Sequence, residues 1–116
     1  MAAHVGPGRI DQRVVVHGGY RLAVSIGPNQ AAVPNDFVLR LTRDGKPAAG
    51  ADVTLQFTML DMEMGQLTYT MPEGPPGTYR RSAPALVMVG HWGVDFQVAP
   101  KGDAPFSVLL VDKAAG

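Results

Sequence analysis

Apolar and polar residues alternate along most of this chain. In "YRLAVSIGP", Leu22, Val24 and Ile26 fall on one side and Arg21, Ala23 and Ser25 on the other. "DFVLRLTRDG" sets Phe37, Leu39 and Leu41 against Arg40 and Thr42, and "ADVTLQFTM" sets Val53, Leu55, Phe57 and Met59 against Thr54, Gln56 and Thr58. "QLTYTM" repeats the pattern with Leu67, Tyr69 and Met71. "HWGVDFQVAP" repeats it with Trp92, Val94, Phe96 and Val98, and "PFSVLLV" with Phe106, Val108 and Leu110. A period of two marks strands with one buried face. No window sustains a period of 3.6 with caps. About seven short strands, separated by turns every ten or so residues, predict an all-β chain folded as an immunoglobulin-like antiparallel β-sandwich. Its core is expected to hold Leu22, Val24, Leu39, Val53, Phe57, Trp92, Val94, Phe96 and Val108.

The segments between these runs agree. "RDGKPAAGA" and "PEGPPG" carry turn chemistry, with prolines that cannot sit in a central ladder. "NQAAVPND" has room for one helical turn, limited by Pro34. "GTYRRS" places Tyr79 near a strand start, where its hydroxyl can make a tyrosine-corner-like bond to the backbone. Residues 1–12 show no alternation and read as a flexible lead-in, followed by a single sandwich domain over residues 13–116.

Composition narrows the function. The chain has 116 residues, and ten acidic residues balance ten basic ones. No basic run occurs, which argues against nucleic acid or an anionic membrane as the main partner. The chain has no cysteine, which excludes disulfides, thiolate metal sites and thiol catalysis together. No apolar stretch approaches the roughly 20 residues that span a bilayer. No secretory signal is visible in "MAAHVGPGRIDQ", and the chain reads as an excised or membrane-tethered domain.

Catalysis has little to work with. The histidines are His4, His17 and His91, and Ser25, Ser82 and Ser107 lie in ordinary strand contexts with no nucleophile elbow. Asp61 and Glu63 alternate, and read as solvated charges at a strand end or as a carboxylate pair. The chain is therefore expected not to be an enzyme.

The methionines carry more. Met59 keeps the parity of the core run, whereas Met62 and Met64 have the opposite parity. Either a bulge or loop follows Met59, or both thioethers point away from the core, about 7 Å apart if the segment is a strand. Their neighbours Asp61, Glu63 and Gly65 are polar or turn-forming. Two thioethers at one edge, joined by Met88 and the imidazole of His91, suit Cu(I), which takes soft ligands at low coordination number. Met88 and His91 differ in parity and reach one site only if Gly90 bends the strand. The other reading is that Met62 and Met64 pack under a loop as ordinary hydrophobes. Trp92 reads as a core anchor whose indole N–H is satisfied locally.

"DGKPAAGADVTLQFTMLDMEMG" and "PPGTYRRSAPALVMVGHWGVDFQV" together resemble the YtkA-like domain family, which is related to FixH-like domains. The correspondence falls at Gly45 to Val53, Met59 to Met64, Gly77 to Tyr79 and Met88 to Trp92. The resemblance implies an immunoglobulin-like sandwich on the extracytoplasmic side of a bacterial membrane, without enzymatic activity. It implies a copper-handling accessory role, with a membrane-bound copper-handling or transport protein as partner. Copper is then held as Cu(I) by Met62, Met64, Met88 and His91, because the histidine-rich N-terminus of dedicated Cu(II) carriers is missing. The alternative is a non-catalytic interaction module that docks onto a membrane protein.

Overall fold

Two β-sheets pack face to face in a computed structural model that describes the backbone of residues 2–5 and the whole of residues 8–116. The strands in chain order are β1 (Ala2–Val5), β2 (Gln12–His17), β3 (Tyr20–Gly27), β4 (Asn35–Arg43), β5 (Lys46–Pro47), β6 (Asp52–Met59), β7 (Gln66–Thr70), β8 (Thr78–Ala83), β9 (Gly90–Ala99) and β10 (Phe106–Ala114). One sheet has the order β1-β10-β9-β6-β7. The other has the order β2-β3-β4-β5, with β8 also paired to β4. Among the strands described, every pairing is antiparallel except that of β1 with β10, and an isolated parallel bridge joins Gln30 to Ala115. No helix occurs among the described residues, so the chain is the all-β, immunoglobulin-like sandwich that its alternation predicts.

The alternating residues meet in register. Val53, Leu55, Phe57 and Met59 of β6 lie opposite Val98, Phe96, Val94 and Trp92 of β9. In the facing sheet Leu22, Val24 and Ile26 lie opposite Leu41, Leu39 and Phe37. The two layers touch where the rings of Phe37 and Phe57 come within 5.0 Å. All nine expected core residues are buried. Burial of each large apolar side chain stabilises the fold by roughly 1.5–3 kcal/mol, so the inner rows are what hold the sheets together.

Three expectations change. Residues 8–12 belong to the fold rather than leading into it: Ile10 is fully buried, and its N–H donates to Asp112 Oδ1 at 2.7 Å. One apolar residue without alternation gives no period to read, so burial of Ile10 left no pattern in the sequence. Residues 1, 6 and 7 of the expected lead-in lie outside the described residues. Second, Leu67 and Tyr69 are not core residues, because β7 is an edge strand paired only with β6; of that run only Met71 is buried. Third, "NQAAVPND" forms no helical turn. The buried Asn35 side chain instead bonds the backbone of Gln30 and Val33 and fixes an irregular loop.

Strand directions collect the loops at two ends. One end gathers the Pro28–Pro34 connection, the loop after β6, the segment before β9 and the end of β10. At the other end Glu73 accepts the N–H groups of Gly50 at 3.0 Å and Gly77 at 2.9 Å.

Candidate metal centre

The ladder between β6 and β9 extends one rung beyond its last paired residues. Met59 lies opposite Trp92, and the Leu60 N–H then donates to the His91 carbonyl at 2.8 Å. At Asp61 a side chain takes over the role of a strand. Its Oδ2 accepts the His91 backbone N–H at 2.7 Å, and both carboxylate oxygens lie 3.2 Å from His91 Nδ1. The chain then leaves the sheet as a loop and turns back at Gly65, whose φ is 80°, to begin β7.

This arrangement requires glycine at position 90. Gly90 has a φ of 142°, and a Cβ there would stand against the Met59 methyl and 2.5 Å from Asp61 Oδ2. The backbone bend brings the preceding segment round so that the indole N–H of Trp92 reaches the Met88 carbonyl at 3.0 Å. Trp92 is a buried core anchor with its N–H satisfied locally, as its sequence context suggests.

The expected ligands lie on three pieces of this end, and the hollow that holds Met62 and Met64 is not lined by Met88 or His91. Met62 and Met64 lie on the loop after β6, and are 53% and 43% exposed. They belong to no strand, so the loop rather than strand parity accounts for their departure from the core pattern. That loop lines an open hollow running from Thr58 to Gln66. Met88 is 36% exposed in the segment before β9, and His91 is half-exposed as the second residue of β9. The bonds of Leu60 and Asp61 to His91 tie the methionine loop to the histidine, and the bond of Trp92 ties in the Met88 backbone. Met62, Met64 and Met88 are thus more exposed than the core methionines Met59 and Met71.

The donor types at this end are thioether, imidazole and carboxylate. Among the described residues, no three of His, Asp or Glu come together as a metal-holding group. Hard cations need several oxygens. Thioethers with one imidazole fit a soft monovalent ion, Cu(I). Glu73 is at the opposite end, holding Gly50 and Gly77. His17 stacks on Phe106 with ring centres 4.4 Å apart. The side chain of His4 lies outside the described residues.

Asp61 is the residue that sequence reasoning undervalued. It does not act as a pair with Glu63. The backbone N–H of His91, followed by its ring, holds the Asp61 carboxyl below the usual carboxylate range. The available signal was Gly90, a glycine inside a strand pattern next to a histidine, which marks close approach by another group.

The same end also exposes Leu60, Leu67, Val87 and Val89. With the three methionines they make up most of the large apolar side chains exposed among the described residues; Val14 and Val16 of β2 are the others.

A family model described as YtkA-like matches residues 16–97, and the chain belongs to this family. The match includes all four motifs that carry the resemblance. No curated protein and no solved structure was found to match the chain.

Proposed function

We propose that this YtkA-like domain is an extracytoplasmic accessory domain that binds one Cu(I) at the loop end of its sandwich and serves a membrane-bound copper-handling or transport protein. The family assignment is consistent with an accessory domain. The observation that carries the copper reading is the exposure of Met62 and Met64 on a loop hydrogen-bonded to His91 through its neighbours Leu60 and Asp61. Thioethers packed as core would be buried, as Met59 and Met71 are. The ligands in this reading are Met62, Met64, Met88 and His91. Thioether sulfur selects Cu(I) over harder ions, and imidazole adds a borderline donor. An exposed site on loops permits handing the ion to a partner.

The test is titration of the purified domain with Cu(I) under reducing conditions against a competing chelator. The reading expects one equivalent to bind, with a change in Trp92 fluorescence, since Trp92 is hydrogen-bonded to the Met88 carbonyl. No binding above that of a methionine-free control would overturn it.

A second reading has its own support. Leu60, Leu67, Val87 and Val89 surround the methionines with exposed apolar surface, and such patches mark interaction sites. In this reading the end is a docking face for a membrane protein partner and the methionines are adaptable contact surface.

A further inference from the structure

We infer that Asp61 is a positioning residue that locks His91 with its ring proton on Nδ1, so that Nε2 is the nitrogen presented to a metal. The inference rests on the copper reading only for the identity of the metal.

A carboxylate is an acceptor only, whereas the two ring nitrogens of a neutral imidazole are one donor and one acceptor. Asp61 sets both carboxylate oxygens 3.2 Å from His91 Nδ1. The favourable partner for two acceptor oxygens is an N–H, so the proton belongs on Nδ1. Nε2 then keeps its lone pair, and no hydrogen bond among the described residues engages it. Because Oδ2 also accepts the His91 backbone N–H at 2.7 Å, one carboxylate grips the residue at main chain and ring together. That double attachment restricts both rotation of the ring and the choice of tautomer. Carboxylates behind metal-binding histidines act in this way elsewhere, and their loss lowers metal affinity by about 10–100-fold.

The surroundings maintain the clasp. Gly90 leaves room for the carboxylate: any side chain there would meet Asp61 Oδ2. The Leu60 N–H bond to the His91 carbonyl holds the two backbones in step. Lys113, opposite His91 on β10, is the nearby cation that also acts on Asp61. Asp61 and His91 are half-exposed, so substituting Asp61 leaves the core untouched.

The apo-protein tests this without metal. Long-range nitrogen–proton NMR of the neutral ring should place the His91 proton on Nδ1. Asp61→Asn should weaken the preference for Nδ1, because its amide can donate to Nδ1 as well as accept from it. Asp61→Ala should leave a mixture of tautomers. Where Cu(I) binds the wild-type protein, both variants should bind it about 10–100-fold more weakly, and the Nε2 resonance should move more than that of Nδ1 on loading. A wild-type proton on Nε2, or a tautomer unchanged in Asp61→Ala, would overturn the inference whatever copper does. A proton on Nδ1 that is released to a mixture in Asp61→Ala, in a protein that binds no Cu(I), would uphold the clasp and remove the copper reading instead.

Discussion

The indole N–H of Trp92 donates to the carbonyl of Met88 at 3.0 Å. A core anchor thereby fixes the backbone of a residue whose own side chain is at the surface. Trp92→Ala should cost about 3–5 kcal/mol, as other large-to-small changes in cores do. Trp92→Phe keeps a buried ring and loses the bond, so it should cost less, with about 0.5–1.5 kcal/mol attributable to the bond. Urea unfolding followed by circular dichroism separates them. Equal losses would show that the hydrogen bond, not the packed ring, dominates.

Tyr79 plays a comparable part at the opposite end. Its hydroxyl donates to the Ala48 carbonyl at 2.7 Å and accepts the Ala51 N–H at 3.0 Å. Tyr79→Phe strands both backbone groups beside a fully buried ring and should cost about 1–3 kcal/mol. A loss below about 0.5 kcal/mol, measured by the same unfolding, would mean that water replaces the hydroxyl.

Gly90→Ala should destabilise the domain by about 1–3 kcal/mol, from a backbone conformation that suits glycine and from the clash of its Cβ with Asp61 and Met59. The Met59 methyl can swing aside, but Asp61 can move only by releasing His91. The His91 backbone amide should therefore exchange with solvent faster in the variant. Unchanged exchange would show that the clasp survives a side chain at this position.

The strands were legible in the sequence because burial on one face imposes alternation. Val53 to Met59 and Trp92 to Val98 face the core in the register that their spacing requires. Exposure of Met62 and Met64 was foreshadowed by their broken parity. The contribution of Ile10 was not legible, since a single buried residue has no period. Nor were the exposure of Leu67 and the partial burial of Tyr69, because alternation cannot separate an edge strand from a central one. The Asp61–His91 bond joins residues 30 positions apart, and nothing in either local sequence names the other. The Tyr79 bond was anticipated in kind but not in reach: it spans 31 positions to Ala48, whereas a tyrosine corner closes over a few.

Asp112 should make stability depend on pH. It is fully buried in β10, where it accepts bonds from Ile10 and Asn29, and its Oδ2 has no partner among the described residues. Burial pushes its carboxyl above the ordinary value. The bonds from Asn29 and Ile10 and the charge of Arg9 oppose this, and Asp11 adds to it. A raised folded-state pKa means that the native state holds the proton more tightly than the unfolded chain. The contribution is then fully present below the ordinary carboxylate pKa, and is lost as pH rises through the folded value. Asp112→Asn keeps an oxygen for Ile10 and Asn29 but cannot ionise. Its stability should gain on that of the wild type as pH rises from about 4, the ordinary carboxylate value. The measurement is the difference between their unfolding free energies across pH, which cancels opposing carboxylates such as Glu73. A flat difference would show Asp112 ionised as easily folded as unfolded.

The two readings of the loop end separate on one pair of substitutions. Met62→Leu with Met64→Leu removes two thioethers and keeps two apolar side chains of similar volume. Such exchanges cost under about 1.5 kcal/mol even in cores, and these positions are exposed, so the variant should fold as the wild type does. Cu(I) binding should be lost, because leucine offers no lone pair. Docking through apolar contact should survive, because leucine buries as well as methionine. Met62→Glu with Met64→Glu should abolish both, since charge at the centre of an apolar patch opposes burial. Cu(I) affinity in the leucine variant is therefore the deciding measurement. A folded leucine variant that binds Cu(I) as tightly as the wild type would eliminate this site and leave docking as the use of the exposed end.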